Sequence, residues 1–434
     1  ESDGGELDIL EKLEAIDGMR VIERFDSDAD GRFFELYYRL PVDHDAPAPG
    51  AGDFELFMTL IHRAEAAPTV FFTTGYHNYF YDYEVELSRL VGGNQLSVEK
   101  RYTGASKPDA AWIYLDAAQV AADGHAIVDA LRPIYGGPWL RTGASLGGED
   151  AVYHHYFFPD DFDGVVAYVA PFVLGLADAR FVEHFDTAVP QPCQADLEAL
   201  QAALLGPRRA DMIDALAGSL SADALTRIGG HDRALQTLVL ELPWSLWQVR
   251  DASTCLDVPA ADDPNISGAQ HLQFIDDVIG VDAVTDDSMA SFEAYAYQAF
   301  TQLGRPAVPL AHLDGLVDPD YVDLETGMPP TGVALPFDAA LLPAIHAWVG
   351  GEASRLIFVY GDYDPWAAGR IDVSGNPAVM SYHDPTGNHG TKIADLAASD
   401  RAQLEATLEA WIDAPLGRRP PPDPRTEPRL RLPR

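Results

Sequence analysis

The sequence predicts an α/β fold, a doubly wound and mostly parallel sheet interrupted by a helical insertion. Short apolar runs at 69–74, 95–101, 139–143 and 165–169 read as buried parallel strands. A helical pattern over 110–130 supplies a crossover between two of them. From about 172 to 335 helical patterns stand alone, at 196–205, 208–220, 231–240 and 288–303, before apolar runs return at 355–360 and 378–383. Alternating stretches at 21–25, 33–38 and 54–60 open the chain as antiparallel strands. The expected organisation is a core in two parts, 1–171 and 336–416, with a helical cap over 172–335 between them. Residues 1–6 are expected to fray, and the Pro- and Arg-rich stretch 417–434 to be a disordered tail.

Gly143-Ala144-Ser145-Leu146-Gly147 makes the fold class specific. It matches G-x-S-x-G, the sharp strand-to-helix turn that lifts a nucleophilic serine above the sheet in the α/β-hydrolase fold. The run 138–142 before it reads as a strand, and 148–158 after it reads as a helix ended by Pro159. The serine must sit in a strained backbone conformation, and a side chain on Gly143 or Gly147 would collide across the turn.

In this fold the partners follow in the order Ser, Asp or Glu, His. The run 355–360 ends at Gly361-Asp362-Tyr363-Asp364-Pro365-Trp366, which puts carboxylates at the carboxyl end of a strand. After the last strand comes Asp384-Pro385-Thr386-Gly387-Asn388-His389-Gly390, a Gly-rich loop suited to a general base. His389 would take the proton from Ser145, and Asp364 would orient the imidazole. Asp362 is a rival for the acid, and His383, at the strand end, for the base. One oxyanion donor should be the Leu146 amide, and the second the Tyr76 amide, with Gly75 permitting close approach after the strand at 69–74.

The stretch from Thr142 through Gly148-Glu149-Asp150 and Tyr153-His154-His155-Tyr156 to Ala170-Pro171 resembles the secreted bacterial tripeptidyl aminopeptidases, the thirty-seventh family of serine peptidases. These resemble lysosomal Pro-X carboxypeptidase more distantly. The similarity continues at Leu96-Ser97-Val98-Glu99-Lys100-Arg101-Tyr102, Trp112-Ile113-Tyr114-Leu115, Tyr295-Ala296-Tyr297-Gln298-Ala299 and Tyr360-Gly361 to Trp366. It spans most of the chain from about 30 to 412. The resemblance implies Ser145 as nucleophile, Asp364 as acid and His389 as base, with no cofactor. Two departures touch the expected cleft. Leu146 stands before Gly147-Gly148-Glu149-Asp150 where relatives carry a basic or bulky residue followed by glycines and methionine. Glu99-Lys100-Arg101 stands where relatives have Glu-His-Arg.

An aminopeptidase must also hold a free ammonium group. Glu149, four residues after the serine on the same helix face, is one candidate. Its alternative role is a helix N-terminal acid favoured by the dipole. Glu99 is the other candidate, with a buried pair to Arg101 as its alternative. Trp244, Trp247, Tyr295 and Tyr297 of the cap could line substrate pockets, although aromatics at helical spacing usually form core. The adjacent His154 and His155 point in different directions along a helix and read as structural.

Composition bounds the partners. The chain has 434 residues, 68 acidic and 29 basic side chains and a net charge of −39. Such a surface argues against nucleic acid and anionic membranes as partners and suits a soluble secreted protein, while the resemblance implies peptide substrates. It fits a salty habitat or a biased source composition equally well, and oligomeric state is not legible. Cys193 and Cys255 lie in polar stretches without metal-ligand spacing, so no metal site is expected and a disulfide is. Closing a loop of about 60 residues would contribute about 4 kcal/mol. The start at Glu1, with no signal peptide, fits either a mature secreted or extracytoplasmic product or a chain trimmed at its start. Two other readings use the same residues: a carboxylic-ester hydrolase, and a non-catalytic binding protein on this scaffold.

Overall fold

A computed structural model describes residues 7–25, 27, 29–45, 51–78, 82–318, 327–417 and 419. The expected frayed start at 1–6, and the tail apart from 417 and 419, lie outside the described residues.

Nine strands form one sheet: β1 (Met19–Arg24), β2 (Arg32–Pro41), β3 (Asp53–His62), β4 (Thr69–Thr73), β5 (Asn94–Val98), β6 (Trp139–Ala144), β7 (Gly164–Tyr168), β8 (Leu356–Gly361) and β9 (Val379–Asp384). Their order is β1-β2-β3-β5-β4-β6-β7-β8-β9. The first three and the β3–β5 contact are antiparallel, and every pair from β5 through β4 to β9 is parallel. The chain therefore runs outward from β4 to β5 and then back across β4 to β6. That reversal opens the sheet's crevice between the carboxyl ends of β4 and β6.

The apolar runs are continuous because both faces of the central strands are covered. Trp139, Val165, Leu356 and Phe358 face a cluster that includes the helices Ala117–Leu131, Leu146–Phe157 and Leu341–Gly351. Their neighbours Leu140, Val166, Ile357 and Val359 face the helices Glu86–Val91 and Ala398–Ile412. This is the doubly wound arrangement, with the period-2 alternation of strands dividing each apolar run between two layers.

Three expected elements differ in detail. The crossover helix starts at Ala117 rather than 110, because the Asp116 carboxylate caps the Gln119 amide at 2.7 Å. The helix expected at 231–240 continues to Val249 despite an internal Pro243. Proline at 243 leaves the Val239 carbonyl without its helical donor, and Gln201 Nε2 donates to that carbonyl at 2.8 Å. The pattern at 288–303 is broken at Phe292 into Asp286–Ser291 and Glu293–Gln298, followed by a wide turn over Ala299–Leu303.

Between β7 and β8 the helices Arg180–Thr187, Gln191–Leu205, Arg209–Ser219, His231–Val249 and Gly268–Val278 build a separate apolar cluster around Phe181, Leu200, Leu235, Trp247 and Ile275. Tyr76, Tyr363 and Trp366, from loops at the carboxyl edge of the sheet, pack into that cluster. Cys193 and Cys255 are disulfide-bonded, S–S 2.01 Å. Cys193 lies buried in the first turn of a helix, not in the polar loop its neighbours suggested.

Candidate active site

Ser145 adopts φ 56 and ψ −128, a left-handed backbone that a non-glycine residue accepts at a cost of about 1–3 kcal/mol. It links β6 directly to the helix Leu146–Phe157, so the turn has no spare residue. A Cβ on Gly143 would come within 2.1 Å of the Gly147 carbonyl oxygen, and one on Gly147 within 2.1 Å of the Thr73 oxygen. Both motif glycines are thus required by the backbone itself. Ser145 N–H donates to the Tyr168 carbonyl at 2.9 Å, tying the elbow to β7.

Asp364 and His389 come together. Asp364 Oδ2 lies 2.6 Å from His389 Nδ1, with the two side chains 0% and 5% exposed. Asp364 Oδ1 accepts from the Trp366 amide at 3.1 Å, which fixes the carboxylate at the start of the turn Pro365–Gly369. The His389 amide donates to the Gln248 carbonyl at 3.0 Å, and Asn388 Nδ2 to the Arg250 carbonyl at 3.0 Å. The end of a long inserted helix therefore grips the histidine loop. Among the described residues no hydrogen bond joins Ser145 to the imidazole, a link that often closes only with substrate bound.

The rivals form a second cluster. Asp362 Oδ1 accepts from Arg370 Nη1 at 2.5 Å and lies 3.2 Å from His383 Nδ1. His383 Nε2 lies 3.0 Å from Ser381 Oγ. Burial raises the Asp362 carboxyl, but His383 and Arg370 outweigh it and hold the group below the usual carboxylate range. Both rival side chains are about one-third exposed, at 34% each.

A family model for the PS-10 peptidase S37 matches residues 2–420. The prolyl tri/tetrapeptidyl aminopeptidase of Streptomyces mobaraensis is 35% identical over 412 residues, which is 93% of this chain and 85% of that protein. The chain belongs to the S37 peptidase family. It is a serine peptidase. Among solved structures, the proline iminopeptidase of Mycobacterium smegmatis is 14% identical, with TM-score 0.41 over 83% of this chain and 96% of that one. A peroxisomal alpha-beta-hydrolase of Saccharomyces cerevisiae is 12% identical, with TM-score 0.40 over 90% and 93%.

The peptidase's loop after β4 lies against the elbow. At Gly75, φ is +80 and a Cβ would meet the Gly147 nitrogen and Leu146 Cγ at 2.7 Å. Leu146 is the first residue of its helix, where an amide has no intrahelical acceptor. The Tyr76 amide donates to Thr74 Oγ1 at 3.1 Å and the Gly75 amide to Thr73 Oγ1 at 3.1 Å. An oxyanion at this loop would share those protons with the threonines.

Neither candidate for the ammonium stands open. Glu99 Oε1 accepts from the Asn78 amide at 3.0 Å. Its Oε2 accepts from the Ala105 and Ser106 amides at 2.8 and 2.9 Å and from Ser106 Oγ at 2.7 Å. Burial pushes its carboxyl up, with Ser106 and the amides opposing. The expected partner of Glu99 is a correction: Arg101 instead pairs with Asp123 through two bonds of 2.6 Å. Glu149 is buried and accepts from the Tyr153 hydroxyl at 3.0 Å.

The four aromatics separate. Trp244 stacks on Phe181 and meets Trp366 edge-on, centroids 5.7 and 4.9 Å apart, so it adjoins the acid loop. Trp247 is fully buried, donating from Nε1 to Gln194 Oε1 at 3.1 Å. Tyr295 lies 6.0 Å from Tyr76. Tyr297 joins Trp112 and Tyr102 in a different cluster. His154 and His155 are buried and bonded to Asp161 and the Ser354 carbonyl, at 2.8 and 2.9 Å. For His154, burial lowers the imidazole to about 4.

Sequence reasoning missed Gln248, Arg250 and His184. His184 is buried on the helix Arg180–Thr187, hydrogen-bonded to the Tyr363 backbone and within electrostatic reach of Asp364. Burial lowers its imidazole, with Asp364 opposing. No local signal marks these three, because each acts from the insertion on a loop over a hundred positions away.

Proposed function

We propose that this chain is a secreted peptidase that releases short peptides, tripeptides above all, from free N-termini. Ser145 attacks the scissile carbonyl, His389 takes its proton and later returns one to the leaving amine, and Asp364 orients the ring and stabilises its protonated form. The acyl-enzyme then holds the N-terminal fragment until water releases it. Leu146 and the Gly75–Tyr76 loop would receive the oxyanion.

The observation that carries this reading is the buried Asp364–His389 pair on the sheet edge that also presents the strained Ser145. The Streptomyces relative, itself a prolyl tri/tetrapeptidyl aminopeptidase, supports the N-terminal mode of attack. We read residues 172–335 as a cap, and its grip on the histidine loop fits an enzyme that admits a chain end and excludes bulk water. The disulfide fits an oxidising, extracytoplasmic setting. Ester hydrolysis would use the same groups, but family membership favours peptides.

The test is hydrolysis of a tripeptidyl fluorogenic amide with a free N-terminus against its N-acetylated twin. The reading predicts a kcat/KM preference for the free amine of at least about 100-fold, the scale of a lost charge-assisted contact. Equal cleavage of the two would contradict it.

A further inference from the structure

Three consecutive residues at the end of β5 are buried, and each fastens a different element. Arg101, through Asp123 and the carbonyls of Val42 and Tyr114, holds the crossover helix and the end of β2. Glu99 gathers the turn at 105–106 and, through the Asn78 amide, the loop after β4. Lys100 does two things at once. Its amide donates to the Tyr76 carbonyl at 3.1 Å, and its Nζ donates to Asp150 Oδ1 at 3.0 Å, with both side chains 2% exposed. Asp150 lies on the elbow helix that begins with Leu146.

Lys100 thus spans the two pieces of backbone from which the oxyanion donors must come. The contact of Gly75 with Leu146 and Gly147 makes their spacing a single shared distance. Donors aimed at a developing charge work only when held in place beforehand. A buried ion pair is a poor source of stability, since desolvating two charges can cost as much as their attraction returns. Apolar residues would fill the same space at least as well, so the pair's value lies in the geometry it imposes.

We propose that Glu99 and Lys100 are positioning residues for the oxyanion hole, locking the loop after β4 against the elbow helix. The proposal rests on Ser145 being the nucleophile. It also gives Glu99 a role other than binding the substrate's amine.

The experiment measures Glu99→Gln, Lys100→Met and the pair Lys100→Met with Asp150→Leu on a tripeptidyl amide. Affinities for a tripeptide aldehyde, whose adduct carries the oxyanion, and for the product tripeptide are measured beside it. Each variant should lose about 10- to 100-fold in kcat with KM within about 3-fold, the scale of a slightly misplaced donor. Aldehyde affinity should fall by the same factor and product affinity should hold. The double variant removes both charges of the pair, leaving the buried Arg141 still faced by Asp161, and decides the matter if Lys100→Met alone does not fold. Unchanged kcat, a loss in KM alone, or equal losses for aldehyde and product would overturn the proposal. An inactive wild type would instead overturn the reading of Ser145 and this proposal with it.

Discussion

Three of the aspartate–histidine pairs among the described residues of this peptidase differ in what surrounds them. Asp364 and Asp362 both follow β8 at the carboxyl edge, with His389 on the loop after β9 and His383 in β9 itself, whereas His154 lies on the elbow helix and Asp161 just after it. Asp362–His383 is open to solvent and shares its carboxylate with Arg370, so its negative charge is already neutralised. His154 is buried, with its ring edge-on to Phe71 and Phe162, and cannot reach a substrate. Of the three, Asp364–His389 alone combines a fully buried carboxylate with a place on loops at the carboxyl edge of the sheet. A catalytic pair needs both burial and the edge, and each of the others has one.

The largest expected effect breaks the first pair. His389→Ala and Asp364→Asn should each lower kcat by at least about three orders of magnitude. His383→Ala and Asp362→Asn should stay within about 3-fold, because their interactions are partly exposed and screened. Steady-state kinetics on the free-amine tripeptidyl amide reads all four, and a dead His383→Ala beside an active His389→Ala would reverse the assignment.

A smaller effect sharpens the contrast with the buried pair. The folded imidazole of His154 titrates at about 4, below an unfolded value of about 6.5, so the unfolded chain binds more protons between those values. Stability from this group is therefore present above about pH 6.5 and lost as pH falls towards 4. Thermal midpoints from pH 7 to 4 should fall less steeply for His154→Asn than for wild type. Parallel slopes would remove His154 from the acid sensitivity of the fold.

The elbow was legible in the sequence because most of its constraint is local: Gly143 and Ser145 are forced by a turn with no spare residue, while Gly147 is also required by the close approach of Thr73 on β4. The strands were legible because burial on both faces leaves an uninterrupted apolar run. Asp362 remained a rival to Asp364 in the sequence because both follow the same strand, and only tertiary packing, which buries Asp364 and leaves Asp362 partly exposed, tells them apart. The Glu99–Arg101 pair failed for a related reason. Opposite charges two residues apart suggest a local pair, yet Arg101 finds Asp123, and Glu99 finds backbone amides and the Ser106 hydroxyl. The continuation of the inserted helix past Pro243 depended on Gln201, a donor from another helix.

The most direct measurement is labelling by a fluorophosphonate, located by mass spectrometry, in wild type, His389→Ala and His383→Ala. The account predicts a single adduct on Ser145 in wild type and in His383→Ala, formed at least about 100-fold more slowly in His389→Ala. An adduct on another residue, or equal rates in wild type and His389→Ala, would contradict the proposed site.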